Sequence, residues 1–301
     1  MSQFVAQLGN VATAIETFLA DALSAQEAAG APPRLAAALR HAVLGGGKRF
    51  RPFLVAESAR LFDVPLNHAL AAGAALECIH CYSLVHDDLP AMDNDELRRG
   101  RPTVWKAYDE WTAILVGDAL QALAFELTSS SEFHQDPSVR CELTSVLAIA
   151  SGSLGMVGGQ MLDLEAGNLG SASKSTVEDI TRLQAMKTGR LITAGCEMGA
   201  IVGGASPEAR AALKSYGEHL GVAFQISDDL LDAEGSSADV GKATGKDAAA
   251  GKATLVGLLG VKDARAYLDR SIASAVDALA QFGEKAGPLA DAARHMGYRD
   301  S

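Results

Sequence analysis

Six carboxylates fall in two short stretches, each at the end of a hydrophobic segment. They are Asp87, Asp88 and Asp93 in the first stretch and Asp228, Asp229 and Asp232 in the second. Carboxylates repel one another and are costly to place near apolar surface, so the two clusters indicate a cation between them. Oxygen ligands without paired Cys or His are typical of Mg²⁺, which bridges a few carboxylates to substrate phosphates. We therefore expect magnesium and a phosphate-bearing substrate.

The spacing within each cluster predicts how the side chains are presented. Asp228 and Asp232 are four residues apart, so they lie on one face of a helix and can share a metal. Pro90 cannot continue an undisturbed helix, because it lacks an N–H and its ring clashes with the preceding turn. We predict that the helix ends or bulges there, which lets Asp93 fold back towards Asp87. Neither cluster fits an EF-hand loop.

A run of three glycines is followed by Lys48, Arg49 and Arg51. Glycines let backbone amides approach a phosphate, and the three cationic side chains can donate charge-assisted hydrogen bonds. The run is not a Walker A loop, since Ala42 stands where the first glycine would be and no Ser or Thr follows Lys48. It is a candidate anion-binding loop, and an ordinary solvated turn is the alternative.

Two further basic stretches could supply the same anion. Arg98 and Arg99 follow the first aspartate cluster, where they would grip diphosphate oxygens or, alternatively, form a surface salt-bridge patch. Residues 233–252 form a long glycine-rich segment that carries Lys242 and Lys252. Long loops in compact domains are commonly lids or binding loops, so we expect a basic flap that closes over the substrate. A flexible linker is the alternative.

A glycine inside a helical segment marks another candidate. Gly189 costs about 1 kcal/mol relative to Ala in a helix, so Lys187-Thr188-Gly189 predicts a kink that exposes the polar groups of Lys187 and Thr188. A glycine that only serves helix packing is the alternative. Gln225 lies on nearly the same helix face as Asp228 and could line the metal site.

Composition limits the class of protein. The chain has 301 residues, 48% of them hydrophobic, which is enough for a substantial core. Its 26 basic and 37 acidic residues give a formal net charge of −11, which argues against nucleic acid as a partner. Residues 1–30 contain no Lys or Arg and the longest apolar stretches are interrupted, so we expect a cytoplasmic protein without a membrane span. Cys78 and Cys81 match the C-x-x-C spacing, but without a second pair we interpret them as buried apolar side chains.

Helical periodicity runs through almost the whole chain, and strand-like alternation is nearly absent. The pattern predicts an all-α fold class, and no composition shift marks a domain boundary within residues 1–301. The predicted helical segments are 3–29, 33–44, 52–62, 67–88, 107–129, 138–165, 176–202, 206–232 and 263–282.

Taken in order, the motifs form a set that covers nearly the full length. They are Gly46–Pro52, Glu77–His80, Asp87-Asp88-x4-Asp93, Arg98–Gly100, Gly117-Asp118, Gly158–Gln160 with Asp163, Lys187–Gly189, Phe224–Asp232, Gly241-Lys242 and Lys252. This ordered set resembles the trans-type prenyl diphosphate synthases, most closely the bacterial short-chain farnesyl diphosphate synthases.

The resemblance implies three Mg²⁺ ions, for which Mn²⁺ can substitute, and two diphosphate sites. The implied metal ligands are Asp87, Asp93 and Asp228, supported by Asp88, Asp229 and Asp232. The residues implied to bind the allylic diphosphate are Arg98, Lys187, Thr188, Gln225, Lys242 and Lys252. The residues implied to bind isopentenyl diphosphate are Lys48, Arg51, His80 and Arg99. The carbonyl of Lys187, the hydroxyl of Thr188 and the amide of Gln225 would also stabilise a carbocation.

It further implies a homodimer whose subunit is one all-α domain of about ten core helices around a central cavity. The reaction would be Mg²⁺-dependent head-to-tail condensation of isopentenyl diphosphate with dimethylallyl and then geranyl diphosphate. Tyr82, five residues before Asp87, together with the longer form of the first aspartate motif, resembles farnesyl synthases. We therefore expect Tyr82 to form the floor of the product tunnel, with simple packing between helices as the alternative.

Other functions remain open at this point. A geranyl or geranylgeranyl diphosphate synthase would share the same motifs. A class I terpene cyclase would normally replace the second aspartate motif with an Asn/Ser/Glu triad, and a non-catalytic synthase subunit tends to lose aspartates. All six aspartates are present in this chain.

Overall fold

The computed structural model describes residues 3–168, 176–234 and 254–297. Within these ranges helices dominate, and the all-α fold class is confirmed. The α-helices are α1 Gln3–Ala28, α2 Pro33–Val43, α3 Phe50–Arg60, α4 Leu66–Asp87, α5 Val104–Ala107, α6 Glu110–Ser129, α7 Pro137–Ser151, α8 Met156–Asn168, α9 Val177–Gln184, α10 Arg190–Val202, α11 Pro207–Glu234, α12 Leu255–Leu259, α13 Val261–Ala278 and α14 Gly287–Gly297. A π-helical turn covers Ala185–Gly189 and a 3₁₀ segment covers Ala280–Ala286.

The secondary structure differs from the prediction in several places, and the short helices α5 and α12 were not predicted. A two-stranded antiparallel hairpin, β1 Leu97–Arg98 and β2 Arg101–Pro102, was not predicted because strands of two residues are too short to show alternation. The predicted segment 138–165 is divided between α7 and α8, where Gly152 and Gly155 interrupt the apolar pattern. Helix α14 was also missed. Its Pro288 suggests a break, yet Pro is compatible with the first turn of a helix.

The chain forms two compact units. The first comprises Met1–Ser145 with Ile201–Gly203, and it carries the glycine run and the first aspartate cluster. The second comprises Val146–Ala200 with Gly204–Ser301, and it carries the second cluster. A single domain over residues 1–301 stays a prediction.

Helix α4 is the central element of the first unit. It contacts α1, α2, α3 and α6, and its residues are apolar on nearly every side because neighbouring helices surround it. The run Ala71–Ile79 is buried without interruption. Since α4 ends at Asp87, the packing of this helix places the first aspartate cluster at its C-terminal end.

Helix α11 has the same role in the second unit. It contacts α13, α14 and the π-helical turn, and the fully buried hydroxyl of Tyr216 donates a 2.7 Å hydrogen bond to the carbonyl of Leu289 in α14. The last turns of α11 contain the second aspartate cluster. Each cluster therefore lies at the C-terminal end of a central helix of its unit.

Two helical stretches in the described residues are long and apolar enough to cross a membrane, namely Leu66–Asp87 and Pro137–Gly167. In the first, 72% of the most apolar window is buried inside the protein, as in any core helix. In the second, 33% is buried, and the stretch is interrupted between Ser151 and Met156. Length and composition alone are weak grounds for a membrane span.

A buried arginine joins three helices of the first unit. Arg49 is 2% exposed and precedes α3 in a left-handed conformation with φ 47°. Its guanidinium donates to Glu77 of α4 at 2.7 Å, to Glu16 of α1 at 2.8 Å and to the carbonyl of Val43 at the end of α2. The sequence interpretation of Arg49 as a phosphate-binding side chain is therefore wrong, because these acceptors occupy its donors.

Replacing Arg49 with Met tests this structural role. The change leaves the carboxylate of Glu77 buried without its cation, so we expect a loss of roughly 3–5 kcal/mol in the free energy of unfolding. Chemical denaturation measures it. The double variant Arg49→Met/Glu77→Gln should recover part of the loss.

The matched control is Lys106→Met, which removes one partner of the exposed ion pair with Glu96. Exposed pairs contribute only about 0–1 kcal/mol. Equal losses for Arg49→Met and Lys106→Met would contradict the role of Arg49.

Candidate active site

The first aspartate cluster is held by a turn that reverses the chain after α4. The N–H of Asp93 donates to the carbonyl of Asp87 at 2.8 Å, and the N–H of Asn94 donates to the carbonyl of Leu89 at 3.1 Å. Asn94 takes a left-handed conformation with φ 53°. The predicted end of the helix near Pro90 and the return of Asp93 to Asp87 are confirmed.

Asp88 is 3% exposed and is bound by Arg98. Nε of Arg98 lies 2.9 Å and 3.1 Å from the two carboxylate oxygens, and Nη2 lies 2.7 Å from Oδ1. Burial raises the pKa of Asp88, and the hydrogen bonds from Arg98 oppose that rise. Asp88 therefore orients Arg98, whose Nη1 stays outside the pair and can meet another acceptor such as a diphosphate oxygen.

Arg99 connects the β-hairpin to the glycine run. Its Nη1 donates to the carbonyl of Gly46, and the guanidinium lies in the space that a Cβ on Gly47 would occupy. Gly47 also has φ +136°, a conformation that L side chains rarely adopt. Position 47 therefore admits glycine alone without displacing Arg99.

Arg101 makes a second connection of the same kind. Its Nη1 would lie 2.9 Å from a Cβ on Gly45, and its Nη2 donates to Nδ1 of His41 at 3.3 Å. The other ring nitrogen of His41 lies 2.8 Å from the carbonyl of Pro102. Sequence reasoning missed Arg101 and His41, because only the packing of the hairpin against α2 brings them together.

The residues expected to hold isopentenyl diphosphate lie in the first unit. Lys48 is exposed, while Arg51 and His80 are half-buried on α3 and α4. Burial, helped by the positive charges of Arg51, Arg99 and Arg98, lowers the pKa of His80 well below its usual value. The imidazole of His80 is therefore neutral, and the three guanidinium groups near it carry the positive charge. They make this part of an acidic protein locally positive, as an anion site requires.

Tyr82 lies on α4 between these residues and the first cluster. Its side chain is 5% exposed, and its ring meets that of His86 edge to face at a centroid distance of 5.8 Å. Burial raises the pKa of its phenol. Its role as the floor of a product tunnel stays a prediction.

In the second unit, Asp229 is the buried member of the acidic cluster. It is 5% exposed and accepts from Nε2 of Gln225 at 3.0 Å, from Nε2 of Gln184 at 3.0 Å and from the N–H of Leu255 at 3.3 Å. Asp228 and Asp232 are half-buried and one helical turn apart on α11. Sequence reasoning missed Gln184 and Leu255, since each contact joins residues far apart in the chain.

The Lys187-Thr188-Gly189 segment lies in the π-helical turn, so the helix is irregular where a kink was predicted, and the predicted exposure of the polar groups of Lys187 and Thr188 stays a prediction. Such insertions occur frequently at functional sites. Nζ of Lys187 lies 2.5 Å from Oδ2 of Asp163 on α8. A Cβ on Gly159 of α8 would overlap the backbone of Lys187, so a glycine is needed for this close approach.

Lys242 and Lys252, with nearly all of the expected flap 233–252, lie outside the described residues. Their predicted contact with the allylic diphosphate stays a prediction.

The donor chemistry of the described residues fits Mg²⁺. No group of three or more His, Cys, Asp or Glu side chains in that part of the chain is arranged to hold a metal by itself. Carboxylate side chains that are half-buried or exposed lie at Asp87 and Asp93 in the first unit and at Asp228 and Asp232 in the second. Mg²⁺ is usually bound through one or two carboxylates, with water and substrate phosphates completing its octahedron. The residues suit a magnesium ion that arrives with its diphosphate rather than one held in a protein cage.

Comparison with known proteins gives a consistent result. The family model described as Polyprenyl synthetase matches residues 32–283. The chain is 43% identical over 249 residues to a farnesyl diphosphate synthase of Escherichia coli (strain K12), which covers 82% of each protein. It is 37% identical over 301 residues to a chloroplastic geranylgeranyl pyrophosphate synthase of Catharanthus roseus, covering 99% of this chain and 82% of the relative.

Among solved structures, an apo FPP/GFPP synthase from Zymomonas mobilis has a TM-score of 0.85 and 44% identity. The match covers 98% of this chain and 99% of that one. The family match spans well over half of the chain, and the ordered motifs agree with it. This chain belongs to the polyprenyl synthetase family.

Proposed function

We propose that this chain makes farnesyl diphosphate by head-to-tail condensation of isopentenyl diphosphate with dimethylallyl diphosphate and then with geranyl diphosphate. The observation that carries the proposal is the group formed by Arg51, Arg98, Arg99 and neutral His80, directly beside the first aspartate cluster. It combines an anion site with carboxylates that suit a metal–diphosphate. Farnesyl diphosphate synthases among the relatives support a product of 15 carbons.

The chain's carboxylates would hold three Mg²⁺ ions with substrate bound, and Mn²⁺ can substitute. Asp87, Asp93 and Asp228 are the proposed ligands. Asp88, Asp229 and Asp232 support them, the first two through the buried hydrogen bonds described above. When bound, the metal neutralises negative charge on the departing diphosphate.

The allylic diphosphate is proposed to be held by Arg98, Lys187, Lys242 and Lys252. In this structure Lys187 is paired with Asp163, so its ammonium has to exchange that carboxylate for a phosphate oxygen. Arg98 keeps its pair with Asp88 and offers its remaining nitrogen. These positive charges favour ionisation of the allylic C–O bond, since they stabilise the charge that develops on the leaving group.

The carbocation is proposed to be stabilised by the Lys187 carbonyl, the Thr188 hydroxyl and the Gln225 amide. The nitrogen of Gln225 donates to Asp229, because a carboxylate is an acceptor only. The carbonyl oxygen of Gln225 is therefore the end available to the cation. Lys48, Arg51, His80 and Arg99 hold isopentenyl diphosphate, whose double bond attacks the cation, and the proton is then lost to the released diphosphate.

We also propose a cytoplasmic homodimer in which residues 1–301 form one domain. Helix α6 supports the dimer: Trp111, Ile114 and Leu115 are 57%, 45% and 48% exposed. Large apolar side chains that are exposed side by side on one helix are typical of an interface between subunits.

Product analysis tests the function directly. Purified protein is incubated with Mg²⁺, isopentenyl diphosphate and one allylic primer at a time, and the dephosphorylated products are separated by chromatography. We expect farnesol from both dimethylallyl and geranyl diphosphate. Geranylgeraniol would favour the second candidate, the activity named for the Catharanthus roseus relative. A cyclic hydrocarbon would indicate a terpene cyclase, and a complete lack of products would indicate a non-catalytic subunit.

Metal removal should abolish turnover. We expect EDTA to stop the reaction and Mg²⁺ to restore it, because the carboxylates cannot neutralise a diphosphate by themselves. Asp87→Ala and Asp228→Ala should each lower kcat by orders of magnitude while circular dichroism shows an intact helical fold. Full activity in a metal-stripped assay would contradict the proposal.

The two diphosphate sites should separate kinetically. Arg51→Ala or Lys48→Ala should raise KM for isopentenyl diphosphate, whereas Lys242→Ala should act on the allylic substrate, because charge-assisted contacts are local. Steady-state kinetics with each substrate varied in turn measures both. The assignment is wrong if Arg51→Ala weakens only the allylic primer.

Tyr82→Ala tests the floor of the product tunnel. Removing a buried aromatic ring opens space next to α4, so a growing chain can extend further and products longer than 15 carbons should accumulate. Chromatography of the dephosphorylated products gives their length. An unchanged farnesyl product would leave Tyr82 with a packing role only.

A further inference from the structure

We propose that Gln184 is a positioning residue that acts through Asp229 on Gln225 and on the π-helical turn. The inference rests on the proposed function, since Gln225 and the turn are the groups assigned to carbocation stabilisation. Gln184 itself belongs to none of the recognised motifs.

The first step is the satisfaction of a buried carboxylate. Asp229 is 5% exposed, so its oxygens need donors from the protein. Oδ1 accepts a hydrogen bond from the amide of Gln225 at 3.0 Å. Oδ2 accepts hydrogen bonds from the amide of Gln184 at 3.0 Å and from the N–H of Leu255 at 3.3 Å. Without Gln184, Oδ2 loses the shorter of these two hydrogen bonds. The carboxylate plane that orients Gln225 is then less well determined.

The second step concerns the π-helical turn. Gln184 is the last residue of α9, and the turn with Lys187 and Thr188 begins at the next residue. An i→i+5 turn is a rare departure from the α-helix, so it needs contacts at both ends to persist. The far end is held where Gly189 meets Gly221 of α11, since a Cβ on Gly221 would lie 2.9 Å from the Cα of Gly189. Gln184 holds the near end to the same helix through Asp229.

The third step separates hydrogen bonding from packing. A cavity of about 250 Å³ lies beside Gln184, and its other walls include Gly189, Thr193, Gly221 and Leu255. The side chain therefore borders open space rather than a filled core. Its position depends on the bond to Asp229 more than on its bulk, and a changed side chain at 184 can be accommodated without a clash.

Three variants of Gln184 test the proposal on the full chain. Gln184→Ala removes the donor. Gln184→Asn keeps an amide but shortens the side chain by one methylene, which moves the donor away from Asp229. Gln184→Glu keeps the size of the side chain but places a second carboxylate against Asp229. The control is Gln281→Ala, a glutamine that is exposed in the 3₁₀ segment.

We expect kcat to fall on the order of 10–100-fold for all three variants, as is typical when a supporting hydrogen-bond partner is lost. The loss for Gln184→Glu should be at least as large as that for Gln184→Ala. KM for isopentenyl diphosphate should change by less than about twofold, because Gln184 contacts no residue assigned to that substrate. Gln281→Ala should behave as the unmodified protein. A wild-type kcat for Gln184→Glu would overturn the proposal, since it would show that size alone matters.

A second measurement does not depend on activity. Hydrogen exchange of the backbone amides of Ala185–Gly189, followed by mass spectrometry without substrate, should be faster in Gln184→Ala and Gln184→Glu than in the unmodified protein and in Gln281→Ala. Unchanged exchange in both variants would overturn the inference whatever the enzyme makes. Faster exchange in a chain that makes no prenyl product would instead refute the proposed function and leave the positioning role intact.

Discussion

A buried carboxylate must be surrounded by hydrogen-bond donors, and this constraint shapes both acidic clusters. Asp88 accepts hydrogen bonds from the guanidinium of Arg98. Asp229 accepts hydrogen bonds from two side-chain amides and one backbone N–H. In each cluster the neighbouring aspartates stay half-buried or exposed. One aspartate of each cluster is thus buried and fixed by hydrogen bonds from the protein, while the proposed metal ligands are the more exposed ones.

Much of the irregular backbone lies where the chemistry is expected, and Asp63, with φ 62° in the turn after α3, is an exception. Of the non-glycine residues with positive φ in the described part of the chain, Arg49, Asn94 and Arg99 belong to the glycine run, the first cluster and the hairpin. The π-helical turn carries Lys187 and Thr188. Such conformations cost of order 1–3 kcal/mol each and persist only where the surroundings determine them. Here the buried guanidinium of Arg49 and the buried carboxylates supply those surroundings.

A net charge of −11 does not oppose the proposed binding of two diphosphates, because the relevant field is local. The β-hairpin concentrates Arg98, Arg99 and Arg101 within four residues and directs them to different partners. Arg98 meets a carboxylate, Arg99 a backbone carbonyl and Arg101 a histidine. Each partner fixes the position of its guanidinium, and the neutral partners of Arg99 and Arg101 leave the positive charge uncompensated, which is what preorganised anion binding requires.

The sequence by itself determined the all-α class, most helix boundaries within a few residues, the turn that returns Asp93 to Asp87 and the presence of a helix irregularity at Lys187. These follow from local rules, namely helical periodicity, the missing N–H of Pro90 and the cost of Gly189 within a helix. Only the tertiary structure decided that Arg49 is buried and joins three helices, and that Arg98 is held by Asp88. It also decided that Gln184 and Leu255 donate hydrogen bonds to Asp229. An arginine, glutamine or aspartate in the sequence can be exposed to solvent or paired in the core. Which of the two occurs depends on which helices pack together, and the spacing of residues along the chain does not give that.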